Sequence, residues 1–176
     1  QSLSSAASDV YKRQGQHSTV RLLLEHKAHV DLVHEGAQGM TALMIAAAGG
    51  ETECAQELLQ RGASVDLRCT NGCTALMFAA ARSQHAALRL LLERKASTDL
   101  QSTKGLTNGW TALMFAARVG NKECVQELLE AGACTKLRNQ GPRNNTALEL
   151  AEESGHPAIA KLLRQRAAKP CAASPK

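Results

Sequence analysis

The chain has 176 residues, of which 30 are Ala and 24 are Leu, while Phe, Trp and Tyr together number 4. With 21% charged residues, 13 Gly and 4 Pro it is neither a disordered polyampholyte nor a Pro-rich linker, and its apolar runs fall far short of the roughly 20 residues a membrane span needs. The net charge of +5 is concentrated in Lys161, Arg164, Arg166, Lys169 and Lys176, with no acid among residues 161–176, so the sequence pI near 9.0 reports a basic tail and disfavours nucleic acid as a partner.

In chain order, residues 1–14 (QSLSSAASDVYKRQ) resemble nothing downstream and are set apart as a cloning- or adapter-derived leader. A half unit over 15–36 follows, in which Leu22-Leu23-Leu24 leads to Ala28. Thr-Ala-Leu then recurs at Thr41, Thr74, Thr111 and Thr146, in units starting near 37, 70, 107 and 142. Leu pairs at 58–59, 91–92, 128–129 and 162–163 each lead to an Ala. Every unit therefore predicts two short helices and a turn, the first helix capped by the Thr hydroxyl and, at Thr146-x-x-Glu149, by a capping box. Gly49-Gly50, Gly120 and Gly155 separate the helices, and Gly62 and Gly132 are left-handed C-caps, with Lys27, Lys95 and Arg166 at the same place in other units. Asn71-Gly72 and Asn108-Gly109 mark hairpin turns between units. The array ends at 168, and residues 169–176 are expected to be a disordered basic tail.

The Thr-led first helix, the Leu-rich second helix, the terminal Gly-Ala and the hairpin between units resemble the ankyrin-repeat family across 15–168. The resemblance implies an all-α solenoid of paired antiparallel helices with β-hairpin fingers, monomeric, carrying no cofactor and no catalytic residues. Two departures stand out. Ala replaces the family's Pro at 42, 75, 112 and 147, and Met44, Met77, Met114 and Glu149 replace its His. Cohesion between units should then rest on apolar packing more than on polar links, and the Met residues read as core rather than as metal ligands.

The resemblance implies a scaffold that binds a protein partner; no nucleophile elbow, phosphate loop or paired catalytic carboxylates appear in the sequence, so no enzymatic activity is expected, and the scattered cysteines point to the cytoplasm or nucleus. The alternative is a regulatory or substrate-recruiting fragment of a larger enzyme, a kinase or a ubiquitin ligase. The six scattered Cys read as reduced thiols; Cys54 and Cys124 face inward, while Cys69, Cys73 and Cys171 lie in turns or tail, and no metal site is completed. Laying the units over one another gives the expected partner-binding residues: Met40, Cys73, Trp110 and Asn145 before each Thr, Arg82, Arg118 and Val119 at the ends of first helices, and Arg143 at the last tip. Trp110 is expected to be an exposed anchor, flanked by a basic strip suited to an acidic or phosphorylated segment.

Overall fold

A computed structural model describes residues 30–34 and 39–167. The leader, most of the half unit and the tail lie outside those residues. Strands β1 (Val33–His34) and β2 (Met40–Thr41) pair antiparallel, with Val33 opposite Thr41. Four helix pairs follow: α1 (Ala42–Gly49) with α2 (Thr52–Gln60), α3 (Ala75–Ala81) with α4 (His85–Glu93), α5 (Ala112–Val119) with α6 (Lys122–Glu130), and α7 (Ala147–Glu153) with α8 (Pro157–Ala167). Helices α1, α3, α5 and α7 stack in one row, and α2, α4, α6 and α8 in a second. The expected all-α repeat solenoid is what the chain forms.

Each first helix begins where the Thr hydroxyl replaces a missing intrahelical acceptor. The Oγ1 atoms of Thr41, Thr74 and Thr111 accept from the backbone N–H of Met44, Met77 and Met114 at 3.4, 3.4 and 3.3 Å. At Thr146 the capping box is complete, because its own N–H donates to Glu149 Oε2 at 2.6 Å. Each of the first three second helices ends in a left-handed residue, Gly62 (φ 86), Lys95 (φ 65) or Gly132 (φ 91). Arg166 departs from the expected pattern: it lies inside α8.

The core is built from small and branched side chains in alternation. Ala47, Ala79, Ala80, Ala116, Ala117 and Ala151 are fully buried, which brings neighbouring first helices close, and Leu88, Leu91 and Leu128 fill the second row. Each such Leu contributes about 1.5–3 kcal/mol of burial free energy. Met44, Met77 and Met114 are equally buried, as the core reading expected.

Polar links between units are more numerous than the loss of the family His suggested. Asp31 accepts from Ser64 N at 3.0 Å, Asp66 from Ser97 N at 3.0 Å and Asp99 from Cys134 N at 2.8 Å. The carboxylates recur at one register, each holding the start of the next unit's extended segment. Lys136 occupies that register in the unit that starts near 107.

Candidate functional site

Adjacent fingers lie side by side because their turns are glycines. Thr103 N donates to Asn71 O at 2.8 Å and Gln140 N to Asn108 O at 2.9 Å. A Cβ on Gly109 would stand 2.4 Å from Gln140 N, and one on Gly72 2.7 Å from Thr103 N, so close approach as well as positive φ requires glycine there. Gln101 extends the ladder by donating to Gly109 O at 2.7 Å and to Arg138 O at 2.9 Å. The third finger is longer, carries a 3-10 turn over Gly105–Thr107, and fully exposes Leu106 at its tip.

Between the second and third fingers and the first helices lies a concavity of about 190 Å³, lined by Cys69, Asn71, Cys73, Met77, Phe78, Ala81, Thr107 and Phe115. Phe78 and Phe115 are half-buried. They occupy the fourth position after each capping Thr, where α1 has Ile45, half exposed at 50%. Sequence reasoning missed this stripe, although its signal was present: one position in a repeated, otherwise Ala-rich motif holds the largest residue of each helix.

The residue before each capping Thr is a core position, contrary to the expectation of an exposed tip. Trp110 is 7% exposed, Cys73 8% and Asn145 6%, and Met40 is half-buried. The Trp110 ring packs on Phe115 with centroids 5.0 Å apart and lies beneath Arg118, whose Cζ is 5.7 Å from the ring centroid. Its backbone N–H is taken by Ser102 Oγ at 3.0 Å. Proximity to the cap ties this position to the base of the finger, where its side chain turns under the first helix. Arg82, Arg118 and Val119 are exposed as expected. Arg82 follows Ala81 of the concavity wall, and Arg118 is joined to Phe115 through Trp110. Arg143 is exposed but pairs with Glu153 at 3.1 Å, so its charge is locally balanced and stands apart from the other two.

Among the described residues Cys54, Cys69, Cys73 and Cys124 are free and all four are buried, so Cys69 and Cys73 do not form the accessible group expected of turn residues. The tight turn explains this, because both side chains point back from the finger into the concavity. Burial pushes the Cys73 thiol up to about 11, with Cys69 adding to the shift and Arg68 opposing it; burial likewise raises Cys124 to about 11, helped by Glu123 and Glu127. Cys134 is disulfide-bonded, which corrects the expectation of reduced thiols at that position; scattered spacing carries no signal of pairing. No group of three or more His, Cys, Asp or Glu that could hold a metal occurs among the described residues, and none of their helices is long and apolar enough to cross a membrane.

A family model described as ankyrin repeats (3 copies) matches residues 3–104 and 95–173. The chain is similar to the Drosophila melanogaster ankyrin repeat and KH domain-containing protein mask, 45% identical over 53 residues, which is 30% of this chain and 1% of that protein. It is also similar to human M-phase phosphoprotein 8, 37% identical over 60 residues, which is 34% of this chain and 7% of that protein. The matched stretches thus span a small fraction of either relative's length.

Proposed function

Since the chain belongs to the ankyrin-repeat family, whose repeats are generally protein-interaction modules and typically non-enzymatic, we propose that it binds an acidic or phosphorylated segment of a partner protein across the second and third fingers. The observation that carries this reading is the concavity lined by Phe78 and Phe115, together with two exposed cations: Arg82, which follows Ala81 of its wall, and Arg118, stacked over the Trp110 ring that packs on Phe115. An apolar side chain of the partner enters the concavity, and carboxylates or a phosphate beside it meet the guanidinium groups, which suit planar, bidentate anions. Trp110 serves this arrangement from beneath, as the platform of Phe115 and Arg118, in place of the exposed anchor that its position before the cap suggested. Leu106 adds apolar area on the adjacent tip.

The reading is tested by probing the full chain with arrayed peptides that carry one central Leu or Phe among acidic, phosphorylated, neutral or basic residues. Acidic or phosphorylated peptides should bind preferentially. Replacing Arg82 and Arg118 together with Ala should weaken them by about tenfold or more while lowering the melting temperature by only about 2–4 °C, the loss expected from the Arg118 contact with Trp110. Equal binding of neutral peptides, or unaltered affinity in the Arg82→Ala/Arg118→Ala chain, would sink the proposal.

A further inference from the structure

The second finger differs from its neighbours in what faces across its base. In the third finger Ser102 Oγ accepts the backbone N–H of Trp110 at 3.0 Å, and in the fourth Asn139 Oδ1 accepts that of Asn145 at 2.9 Å. The second finger places Cys69 against Cys73. A thiol is a weak acceptor, and this hairpin is held by other bonds: Cys69 N to Cys73 O at 2.9 Å, Gly72 N to Cys69 O at 2.8 Å, and Arg68 Nε to Gly72 O at 3.2 Å. Hairpin geometry therefore leaves the pair of cysteines unexplained.

The two thiols are free and buried, stand on residues paired across the hairpin by the Cys69 N to Cys73 O bond, and line one concavity together with the thioether residue Met77. We propose that Cys69, Cys73 and Met77 form a binding site for a soft monovalent metal ion, copper(I). Soft sulfur donors select such an ion, and copper(I) is content with two or three of them. Zinc prefers four ligands, more than the described residues assemble here. Binding exchanges protons for metal without electron transfer: the ion joins two thiols, two protons leave to solvent, and the bis-thiolate complex carries one negative charge, with the neutral Met77 sulfur as third donor. The Arg68 guanidinium, held in the same hairpin by its bond to Gly72 O at 3.2 Å, offsets that charge. Phe78, Phe115, Asn71 and Thr107, all half-buried, line the remainder of the concavity.

The site shares walls with the proposed partner-binding concavity but needs no partner, so a titration of the chain alone reads it separately. The full chain is titrated anaerobically with copper(I) against the chromophoric chelator bathocuproine disulfonate. One tightly held equivalent is expected, with affinity falling by about a hundredfold or more in Cys69→Ser or Cys73→Ser and about tenfold in Met77→Leu. It should be unchanged in Cys54→Ser and Cys124→Ser. Undiminished affinity in the Cys69→Ser/Cys73→Ser chain overturns the site. Should those variants fail to fold, X-ray absorption of the wild-type chain loaded with one equivalent decides: a shell of three sulfurs supports the site, and nitrogen or oxygen in the shell overturns it.

Discussion

Arg118 stands over the indole of Trp110, its Cζ 5.7 Å from the ring centroid, while the other end of the packing chain sets that ring 5.0 Å from Phe115. One buried aromatic residue thus fixes both an exposed cation and a half-buried wall of the concavity. Removing it should be felt as lost stability first. Trp110→Ala is expected to cost about 3–5 kcal/mol in urea denaturation, whereas Arg118→Ala should cost only about 0.5–1 kcal/mol. A Trp110→Ala midpoint equal to that of Arg118→Ala would place the indole outside the core.

Gly109 and Gly62 both have positive φ, 77 and 86, but only Gly109 faces a neighbouring finger. Gly62→Ala meets nothing within 4 Å and should cost about 1 kcal/mol of backbone strain. Gly109→Ala drives its Cβ against Gln140 N and displaces the bond from that N–H to Asn108 O, adding roughly 1–3 kcal/mol. Equal melting temperatures for the two variants would show that the fingers are not closely stacked.

Lys95 and Ser83 hold left-handed backbone, φ 65 and 58, at places where other units have Gly62 and Gly132, or Gly50, Gly120 and Gly155. Lys95→Gly and Ser83→Gly should each stabilise the array by up to about 1 kcal/mol, since glycine relieves the Cβ clash. Thermal denaturation of the single and double variants checks this, and a lowered midpoint for Lys95→Gly would refute it.

Glu149 accepts the backbone N–H of Thr146, which holds its carboxyl below the ordinary value of 4.5; burial opposes the shift, and the Thr146 hydroxyl and Arg138 add to it. The folded state therefore prefers the ionised form. Its contribution is present above the unfolded value and disappears as pH falls through the lower folded one. Denaturation of wild type and Glu149→Gln at about pH 7 and about pH 3 should show a gap that narrows on acidification. A gap of the same size at both would exclude the linkage.

Much of the fold was legible because it rests on local chemistry repeated four times. A Thr hydroxyl before Ala-Leu can cap a helix wherever it occurs, an Asn-Gly pair turns the chain, and apolar residues at helical spacing must find a second layer. The Asp ladder was legible in part: Asp31, Asp66 and Asp99 share a register, yet their acceptor role depends on the N–H of a residue 31 to 35 positions away.

What sequence could not fix was the direction of side chains at the base of each finger. Trp110, Cys73 and Asn145 stand directly before the capping Thr111, Thr74 and Thr146, and linear position gives no sign that they are buried in the core. The same holds for Phe78 and Phe115, whose helical period marks them as apolar but not as walls of a concavity. Helices, turns and repeat number follow from forces acting within about four residues of a given position. The concavity at the base of the second and third fingers arises only when neighbouring units stack, because its lining comes from two stretches of the chain, residues 69–81 and Thr107 with Phe115.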